Sequence, residues 1–594
     1  MVIPAPSVCM FAAALASAAL GQTLPHGVAA GDVDQTSAVL WARSTAVGEV
    51  TFEYSVNADF VGATSVATDV SDATVPVKVD IGPLNTGTTY YYRVTDAAGD
   101  SAAGTFRTPA ADGLLGLRFG VSGDWRGELR PYPSISNVPD RNLDFFVALG
   151  DTTYADVPSL DFPHPQARSL EEFRIKHAEG LSERYDINSW AEVRASTPMY
   201  VCIDDHEVTN DFAGGAPVGS DGRFDTRGSF LNETELYTNG LQAFQEYHPI
   251  RDEIYGDVGD PRMNGKPNLY RFRRFGQDAA IFLLDARSFR DEALPSVVNP
   301  FDSDGIEEFL EASYDPTRTM LGGAQLEQLK ADLLASLDVT WKFILVPEPI
   351  QNLGPLLASD RFEGYAHERS ELLRFIDENG IDNVVFIAAD IHGTVVNNLR
   401  YQNGPDGPWI STTAFEITTG PVAYAAPLGA TVVSFAPLGV LSGPFYALFG
   451  QLGRTLQNGL LQAAGDAYLR GRGYSPIGLE GSPIDVTLLE GCYISANAYG
   501  WTEFEIDSTT QRLTVTTYGI GWYSPADMQL VPNLILARTP SIVSRFRVEP
   551  KTMDGEGQVP PARSSPCGAL GAINLAALAT ALAFSFFARP KRKR

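Results

Sequence analysis

Cysteine is scarce in this chain, which has only four among its 594 residues. Cys9 and Cys567 lie near the two ends, so the body of the chain keeps Cys202 and Cys492. These two residues allow at most one disulfide, and two separate buried thiols are the favoured interpretation. No CxxC pair or other thiolate zinc spacing is present, and the length and composition exclude a small disulfide-stapled domain.

Positive charge is also scarce, with 44 Lys and Arg against 72 Asp and Glu and a net charge of −28. A surface this acidic repels phosphate backbones, so we expect no dedicated nucleic-acid partner. Histidine is limited to seven residues, which makes each histidine in a motif informative. The apolar content of 44% excludes a wholly disordered chain, and the length predicts about two to four domains.

The N-terminal residues 1–21 are interpreted as a secretory signal peptide. Val8 to Leu20 form an apolar, Ala-rich run that ends in small residues, which is typical of a signal peptide cleaved before Gln22. No Lys or Arg precedes the run, so an ordinary apolar N-terminus is the alternative.

The C-terminal end predicts attachment to a membrane or the cell surface. After a polar linker at 551–567, residues 568–588 carry no charge and are long enough to span a bilayer, and residues 589–594 are basic. The small residues at 564–568 also fit a sorting signal that is removed. We therefore expect a secreted, periplasmic or extracellular protein associated with the cell surface.

Residues 24–110 predict a small all-β domain. Turn residues separate alternating or aromatic-rich segments at 38–42, 49–54 and 89–94. Segment 82–94 resembles a strand pair of fibronectin type III domains, and several short strands over this length fit a sandwich. Such a domain serves packing or spacing more often than chemistry.

Residues 116–545 predict an α/β domain, because short apolar runs alternate with helical stretches. The predicted strands are 117–121, 145–149, 199–203, 279–284, 342–346 and 383–388, and the predicted helices are 170–181, 324–337 and 368–379. Within this domain, residues 417–453 contain no charged side chain. This apolar insertion is either a buried loop or an apolar lid that faces lipid.

Four of the predicted strands end in a polar motif. The motifs are SGDW at 122–125, GDTTY at 150–154, DDHE at 204–207 and ADIH at 389–392. Sites in open α/β sheets form beyond the carboxyl ends of the strands, so we expect the polar side chains to converge. The candidate site residues are Asp124, Asp151, Tyr154, Asp205, His206, Asp390 and His392.

The candidate residues offer only oxygen and nitrogen donors, which suit hard or borderline cations. Several carboxylates in one cleft repel each other unless cations neutralise them, so two metals fit better than one. A two-metal site is the usual device for hydrolysing phosphate esters. Taken singly, each residue also has a structural interpretation, such as a Gly-Asp turn or a helix N-cap. Their joint occurrence after apolar strands favours a site.

The order of these motifs resembles the calcineurin-like metallophosphoesterase superfamily and, within it, the PhoD-like alkaline phosphatase and phosphodiesterase family. The resemblance extends over about residues 24–545. It implies a metallophosphoesterase β-sandwich with flanking helices, preceded by a small fibronectin III-like domain. It also implies hydrolysis of phosphate monoesters or diesters. The apolar insertion adds phospholipid diesters, and thus phospholipase D-like activity, to the candidate substrates.

The resemblance assigns roles to the first two motifs. Asp124 occupies the first metal-binding block, and Asp151 matches the carboxylate that bridges both metals. Tyr154 matches a phenolate ligand of iron-using branches. The Cys that many relatives carry in the first block is absent, since the chain reads Ser122-Gly123-Asp124. The implied cofactors are two metal ions, Fe³⁺ with Ca²⁺ or Zn²⁺.

The resemblance also assigns the last two motifs. Asp205 stands where many relatives have a metal-binding Asn, and His206 matches the histidine that assists the leaving group or the transition state. Asp390 and His392 match the last metal-binding block. The region 346–352 is expected to supply a further ligand. Arg287 is interpreted as a phosphate contact or, equally, as a salt-bridged surface residue.

The favoured prediction is therefore a surface-associated, metal-dependent phosphoesterase whose partner is a phosphate ester substrate. The alternative is a catalytically inactive metal-binding protein of the same fold at the cell surface.

Overall fold

The computed structural model of the chain describes residues 22–299, 301–429 and 452–551. The predicted signal peptide, the centre of the apolar insertion and the whole C-terminal segment from 552 onward lie outside the described residues. Those three interpretations remain predictions. Within the described ranges, no helix combines the length and the apolar character needed to cross a membrane.

Seven short strands occupy the first part of the chain. They are β1 (Val28–Gly31), β2 (Ala38–Ala42), β3 (Gly48–Ser55), β4 (Thr64–Val70), β5 (Val77–Ile81), β6 (Thr89–Thr95) and β7 (Ser101–Arg107). β4, β3, β6 and β7 form a separate four-stranded sheet, in that order. Alternate apolar side chains of its strands, such as Val50 and Phe52 of β3, are fully buried, which is the pattern of a sheet with one face in a core.

The other N-terminal strands extend the large sheet of the second domain. β1, β2 and β5 pair antiparallel, and β1 runs parallel to β10 (Met199–Cys202) with Gly31 opposite Met199. A Cβ atom at Gly31 would lie 2.6 Å from Pro249, so the close approach of the two domains requires glycine here. The N-terminal strands are thus continuous with the sheet that carries the site.

Two large sheets form the second part of the chain. The remaining strands are β8 (Leu117–Ser122), β9 (Phe145–Leu149), β11 (Arg271–Phe275), β12 (Ala279–Leu283), β13 (Trp341–Leu345), β14 (Val384–Ala388), β15 (Thr394–Tyr401), β16 (Ile410–Thr418), β17 (Val486–Gly491), β18 (Ile494–Ser495), β19 (Ala498–Ile506), β20 (Leu513–Gly521) and β21 (Ser541–Val548). The ten-stranded sheet has the order β17-β21-β20-β19-β8-β9-β10-β1-β2-β5, and the seven-stranded sheet has the order β11-β12-β13-β14-β16-β15-β18.

The two sheets pack face to face through an aromatic core. The ring of Phe119 lies 4.7 Å from that of Phe145 on the same sheet and 4.9 Å from that of Phe343 on the other sheet. Strands β8, β9 and β10 are parallel, as are β12, β13, β14 and β16. Their nearly continuous apolar sequences fit strands that are buried on both faces.

Helices cover the outer faces of both sheets. They are α1 (Leu170–Leu181), α2 (Ser189–Ser196), α3 (Glu235–Tyr247), α4 (Ser303–Ser313), α5 (Gly323–Leu334), α6 (Ala366–Glu378), α7 (Arg454–Gly471), α8 (Pro525–Leu530) and α9 (Pro532–Leu536). α1, α2 and α3 pack on the ten-stranded sheet, and α5 and α6 pack on the seven-stranded sheet. This confirms the predicted α/β sandwich with flanking helices. The fibronectin-like detail of the first domain stays a prediction.

The two body cysteines differ in state. Cys202 is a free, buried thiol on β10, as predicted. Cys492 is disulfide-bonded, and its partner is not Cys202. The expectation of two separate thiols is therefore wrong for Cys492, and the alternative of a disulfide between Cys202 and Cys492 is wrong as well.

Candidate active site

The four motifs meet at one edge of the sandwich, beyond the carboxyl ends of β8, β9, β10 and β14. Asp124, Asp151, Asp390 and His392 all adopt left-handed backbone conformations, with φ of 65°, 51°, 59° and 57°. Aspartate tolerates the left-handed conformation better than most residues do. This conformation turns the chain sharply at the end of the strand. Gly150 has φ of 76°, and a Cβ there would lie 2.6 Å from Cβ of Asp204, so the β9 and β10 ends approach closely.

Among the described residues, four groups of side chains at this edge could hold a metal ion, and two of these groups contain Asp151. The first comprises Asp124, Asp151 and His392, and the second comprises Asp151, Asp205 and His206. Within each group the ligand atoms lie within 4.8 Å of one another. Asp151 belongs to both groups, which is the position that a bridging carboxylate requires.

The donor atoms of the first group fit a cation. Among the described residues, both carboxylate oxygens of Asp124 are buried without a hydrogen-bond partner. An unpaired buried polar atom costs about 1–3 kcal/mol, so such atoms are rare unless a ligand satisfies them. Burial and then the neighbouring Asp204 raise the pKa of Asp124 well above its usual value. Burial and then Asp205 do the same to the pKa of Asp151.

The surroundings shift the pKa values of the two site histidines in opposite directions. Burial alone would lower the pKa of His206, but Asp205 and the hydrogen bond between Nδ1 and Asp156 Oδ1, 2.6 Å long, outweigh it and raise the pKa to about 9. Burial and then His206 lower the pKa of His392 to about 3. His392 is therefore a neutral imidazole, the form that binds metals, and its Nε2 lies 3.7 Å from Asp124 Oδ1.

Glu207 ties the β9 and β10 motifs together. Its Oε1 accepts hydrogen bonds from the backbone N–H and the hydroxyl of Thr152, at 2.6 and 2.7 Å, and its Oε2 accepts from the N–H of Asp204 at 3.0 Å. The side chain is fully buried. Glu207 thus fixes the backbone on both sides of the site, a role that the motif DDHE contains but the sequence prediction did not assign.

A second acidic cluster adjoins the two metal groups. Asp205 also groups with Asp211 and Asp360, and Asp390 groups with Glu348 and Asp360. Asp390 therefore lies beside the first two groups but belongs to neither of them. Glu348 comes from the region 346–352 that was expected to supply a further ligand. Asp360 was missed because it follows no apolar strand and belongs to no motif.

Arg287 neutralises part of this second cluster. It is fully buried, and its guanidinium pairs with Asp204 at 2.6 Å, with Asp360 at 2.9 Å and with Glu348. The interpretation of Arg287 as a surface residue is therefore wrong. Its donors are directed at carboxylates, so a phosphate contact gains no support from the geometry.

An aromatic wall with one arginine borders the site on the side of β8 and β16. The ring of Tyr424 stacks on His392 at 3.5 Å between centroids, and the ring of Tyr154 lies 4.2 Å from that of His206. The guanidinium carbon of Arg126 lies 5.5 Å from the Tyr424 ring and 6.0 Å from the Tyr154 ring. Neither Tyr424 nor Arg126 was predicted.

Tyr424 is held in place by the described start of the apolar insertion. The N–H of Val422 donates to Gly123 O at 2.9 Å, and the N–H of Ala423 donates to Asp124 O at 3.1 Å. Val422 and Ala423 are fully buried. Residues 419–423 are thus a buried loop that is hydrogen-bonded to the β8 motif. The choice between a buried loop and a lid for the whole insertion 417–453 stays open, because residues 430–451 lie outside the described residues.

Comparison with known proteins gives the family. Residues 122–436 match the sequence model described as PhoD-like phosphatase. This chain belongs to the PhoD-like phosphatase family. Residues 11–110 match the model of the N-terminal domain of PhoD-like phosphatases, so the first domain is also characteristic of the family. The predicted resemblance is confirmed.

Two relatives illustrate the similarity. Alkaline phosphatase D of Bacillus subtilis (strain 168) is 27% identical over 406 residues, which is 63% of this chain and 65% of the relative. The match thus spans less than two thirds of that relative's length. The solved structure of PhoD superposes with a TM-score of 0.62 at 19% identity, covering 93% of this chain and 95% of that chain. The structural likeness supports the fold.

Proposed function

We propose that the protein is a metal-dependent hydrolase of phosphate esters. The observation that carries this proposal is Asp151, which is shared between two ligand groups next to the unpaired oxygens of Asp124. Membership in a phosphatase family supports the same chemistry. Phosphate monoesters and diesters, phospholipid diesters included, are all proposed substrates.

Two bound cations would supply Lewis acidity and lower the pKa of the attacking water. Asp124, Asp151 and His392 would hold one cation, and Asp151 and Asp205 the other. Tyr154, which is buried beside Asp151, is proposed as a phenolate ligand that favours Fe³⁺ at the first position, with Ca²⁺ or Zn²⁺ at the second.

His206 is proposed to protonate the departing ester oxygen. Asp156 accepts a hydrogen bond from Nδ1, which orients the ring and favours its protonated form. The Nε2 proton then remains available to the leaving group, which is general acid catalysis.

The test is hydrolysis of p-nitrophenyl phosphate and bis(p-nitrophenyl) phosphate before and after chelation. We expect activity that chelation removes and metal restores. Asp151→Asn should abolish turnover and lower the bound metal, while far-UV circular dichroism stays native. A wild-type chain that binds metal but hydrolyses neither ester would favour the alternative, an inactive metal-binding protein.

The location is a further part of the proposal. The apolar residues 568–588 and the basic residues 589–594 are proposed to attach the protein to a membrane or the cell surface outside the cytoplasm. A chain that ends at 567 should then appear soluble in the medium and stay active. Identical fractionation of the full-length and shortened chains in the native host would contradict the attachment.

A further inference from the structure

A phosphate ester is anionic, yet the described site is dominated by carboxylates. Asp124, Asp151, Asp205, Asp360 and Asp390 all lie within or beside the ligand groups. Bound cations offset part of this charge, but a doubly charged phosphate also needs an oriented donor on the protein. The two arginines nearest the acidic cluster do not fill this need.

Arg287 and Arg290 are both fully buried and already paired. Arg287 pairs with Asp204 and Asp360, and Arg290 pairs with Glu348 at 3.1 Å and with Asp360 at 2.8 Å. Every pair is closed to solvent on the arginine side. Moving either guanidinium toward a substrate would leave buried carboxylates unpaired, which costs several kcal/mol.

Arg126 is in a different situation. Among the described residues its guanidinium hydrogen bonds only to Glu128, through Nη2, and its Nε is buried without a partner. About an eighth of the side chain, 12%, is exposed. Glu128 therefore orients the guanidinium on one side, and its remaining N–H donors are available to bind an anion.

The rings of Tyr424 and Tyr154 support this guanidinium next to the two ligand groups that contain Asp151. Arg126 lies over the rings of Tyr424 and Tyr154, and those rings contact His392 and His206. An anion seated between the two histidines would thus meet Arg126 on its outer side.

From this geometry we propose that Arg126, supported on the rings of Tyr424 and Tyr154, binds a non-bridging oxygen of the substrate phosphate and sets a preference for doubly charged monoesters over diesters. This rests on the proposed phosphoesterase function. Tyr424 is the positioning residue, because its ring stacks on His392 and faces the guanidinium. The apolar loop that carries Tyr424 thereby acts on substrate choice.

The test compares Arg126→Gln and Arg126→Lys with Arg400→Gln in the metal-loaded, full-length protein. Arg400 is the matched control, since its guanidinium lies 5.0 Å over the ring of Trp409, away from the site. The readouts are calorimetric binding of inorganic phosphate, metal content, and KM and kcat for the monoester and diester. Loss of a charge-assisted hydrogen bond predicts a rise of about 10- to 100-fold in phosphate Kd and monoester KM for Arg126→Gln.

We expect a smaller rise in KM for the diester, because it carries one charge fewer, and unchanged metal content. Arg126→Lys should restore part of the affinity, since it keeps the charge but not the planar fork. Tyr424→Leu should weaken phosphate binding more than Tyr424→Phe, because only the leucine variant removes the ring. Arg400→Gln should match the wild type.

Two failures are distinguishable. A wild-type protein that hydrolyses no ester would overturn the proposed function, and phosphate calorimetry would still report on Arg126. Unchanged phosphate affinity in Arg126→Gln, or no phosphate binding by the wild type, would overturn the inference. An equal loss for monoester and diester would overturn the proposed preference.

Discussion

At the scale of single residues, His206 is proposed to transfer a proton and not to hold a metal ion. Its Nδ1 is held by Asp156 Oδ1 at 2.6 Å, and this carboxylate favours the protonated ring that a proton donor requires. His206→Ala should lower kcat by about 100-fold or more, the usual scale for losing a general acid. The loss should shrink for esters with good leaving groups. A loss of equal size for good and poor leaving groups, measured with a series of aryl phosphates, would contradict the acid role.

Tyr154 is the residue whose visible absorption would identify the bound metal ion. Burial and then Asp151 raise the pKa of its phenol well above the usual value, so only a strongly bound cation would keep it as a phenolate. If Fe³⁺ is bound, phenolate-to-iron charge transfer should colour the pure protein violet or blue, and Tyr154→Phe should bleach it. The checks are the visible spectrum and elemental analysis. A colourless, fully active protein without iron would leave Ca²⁺ and Zn²⁺ as the remaining pair.

At the scale of elements, local sequence patterns predict a helix correctly where capping residues define its ends. α1 spans 170–181 as predicted, because Ser169 caps it by accepting from Glu172 N and Glu172 closes the capping box. The helix predicted at 324–337 ends three residues earlier, at Leu334, and the one predicted at 368–379 begins two residues earlier, at Ala366. The convergence of β8, β9, β10 and β14 followed from the parallel arrangement of buried strands.

Contacts between distant segments could not be read from local patterns. Asp360 reaches the site because α6 and its preceding turn pack on the seven-stranded sheet, and nothing near Asp360 in the sequence indicates this. The same holds for Arg126 and Tyr424, which meet only because residues 419–424 bond to the β8 motif. The joining of β1 to β10 likewise depends on tertiary packing rather than on strand propensity.

Glu207 is a positioning residue that acts on two elements at once, since it holds the ends of β9 and β10. Removing one of its acceptor oxygens should loosen both Asp151 and Asp205. Glu207→Gln is therefore expected to lower metal affinity by about 10- to 100-fold, the range for residues that orient metal ligands. The measurement is a metal titration monitored by calorimetry, and circular dichroism verifies that the variant is folded.

The matched control for Glu207 is Glu368. It is also buried, it accepts the N–H groups of Met320 and Leu321 at 3.0 Å, and burial raises its pKa to about 7, as for Glu207. Glu368 belongs to none of the ligand groups. Glu368→Gln should lower the free energy of unfolding without changing metal affinity. Equal effects of both variants on metal affinity would mean that Glu207 acts only through general stability.

At the scale of the whole molecule, a seam of buried histidines joins the N-terminal strands to the helices of the second domain. The ring of His177 on α1 stacks on Tyr247 at 5.5 Å and lies 5.7 Å from His248, and Tyr247 lies 6.4 Å from His26 near the start of the chain. Burial comes first among the causes that hold the pKa of all three histidines below the usual value, which for His177 is lowered to about 3. The folded protein therefore keeps this seam uncharged.

The sign of the resulting pH dependence follows from linkage. Unfolded His177 titrates near pH 6.5 and the folded residue near 3, so above about pH 6.5 neither state binds its proton and the residue is neutral toward stability. Below that pH the unfolded state binds the proton first, and stability falls by about 1.4 kcal/mol per pH unit. Buried carboxylates with a raised pKa, such as Glu368 and Glu416, act in the opposite direction, so the total slope does not isolate the histidine.

A difference measurement does isolate it. His177→Phe keeps an aromatic ring against Tyr247 and removes Nε2, which has no hydrogen-bond partner in the described part of the chain. The effect of this substitution on the free energy of unfolding, measured by urea titration of the metal-loaded protein, should shift in favour of the variant by about 2 kcal/mol between pH 7.5 and pH 5.0. The carboxylates are common to both proteins and cancel. An identical effect at both pH values would show that His177 is protonated within the folded seam.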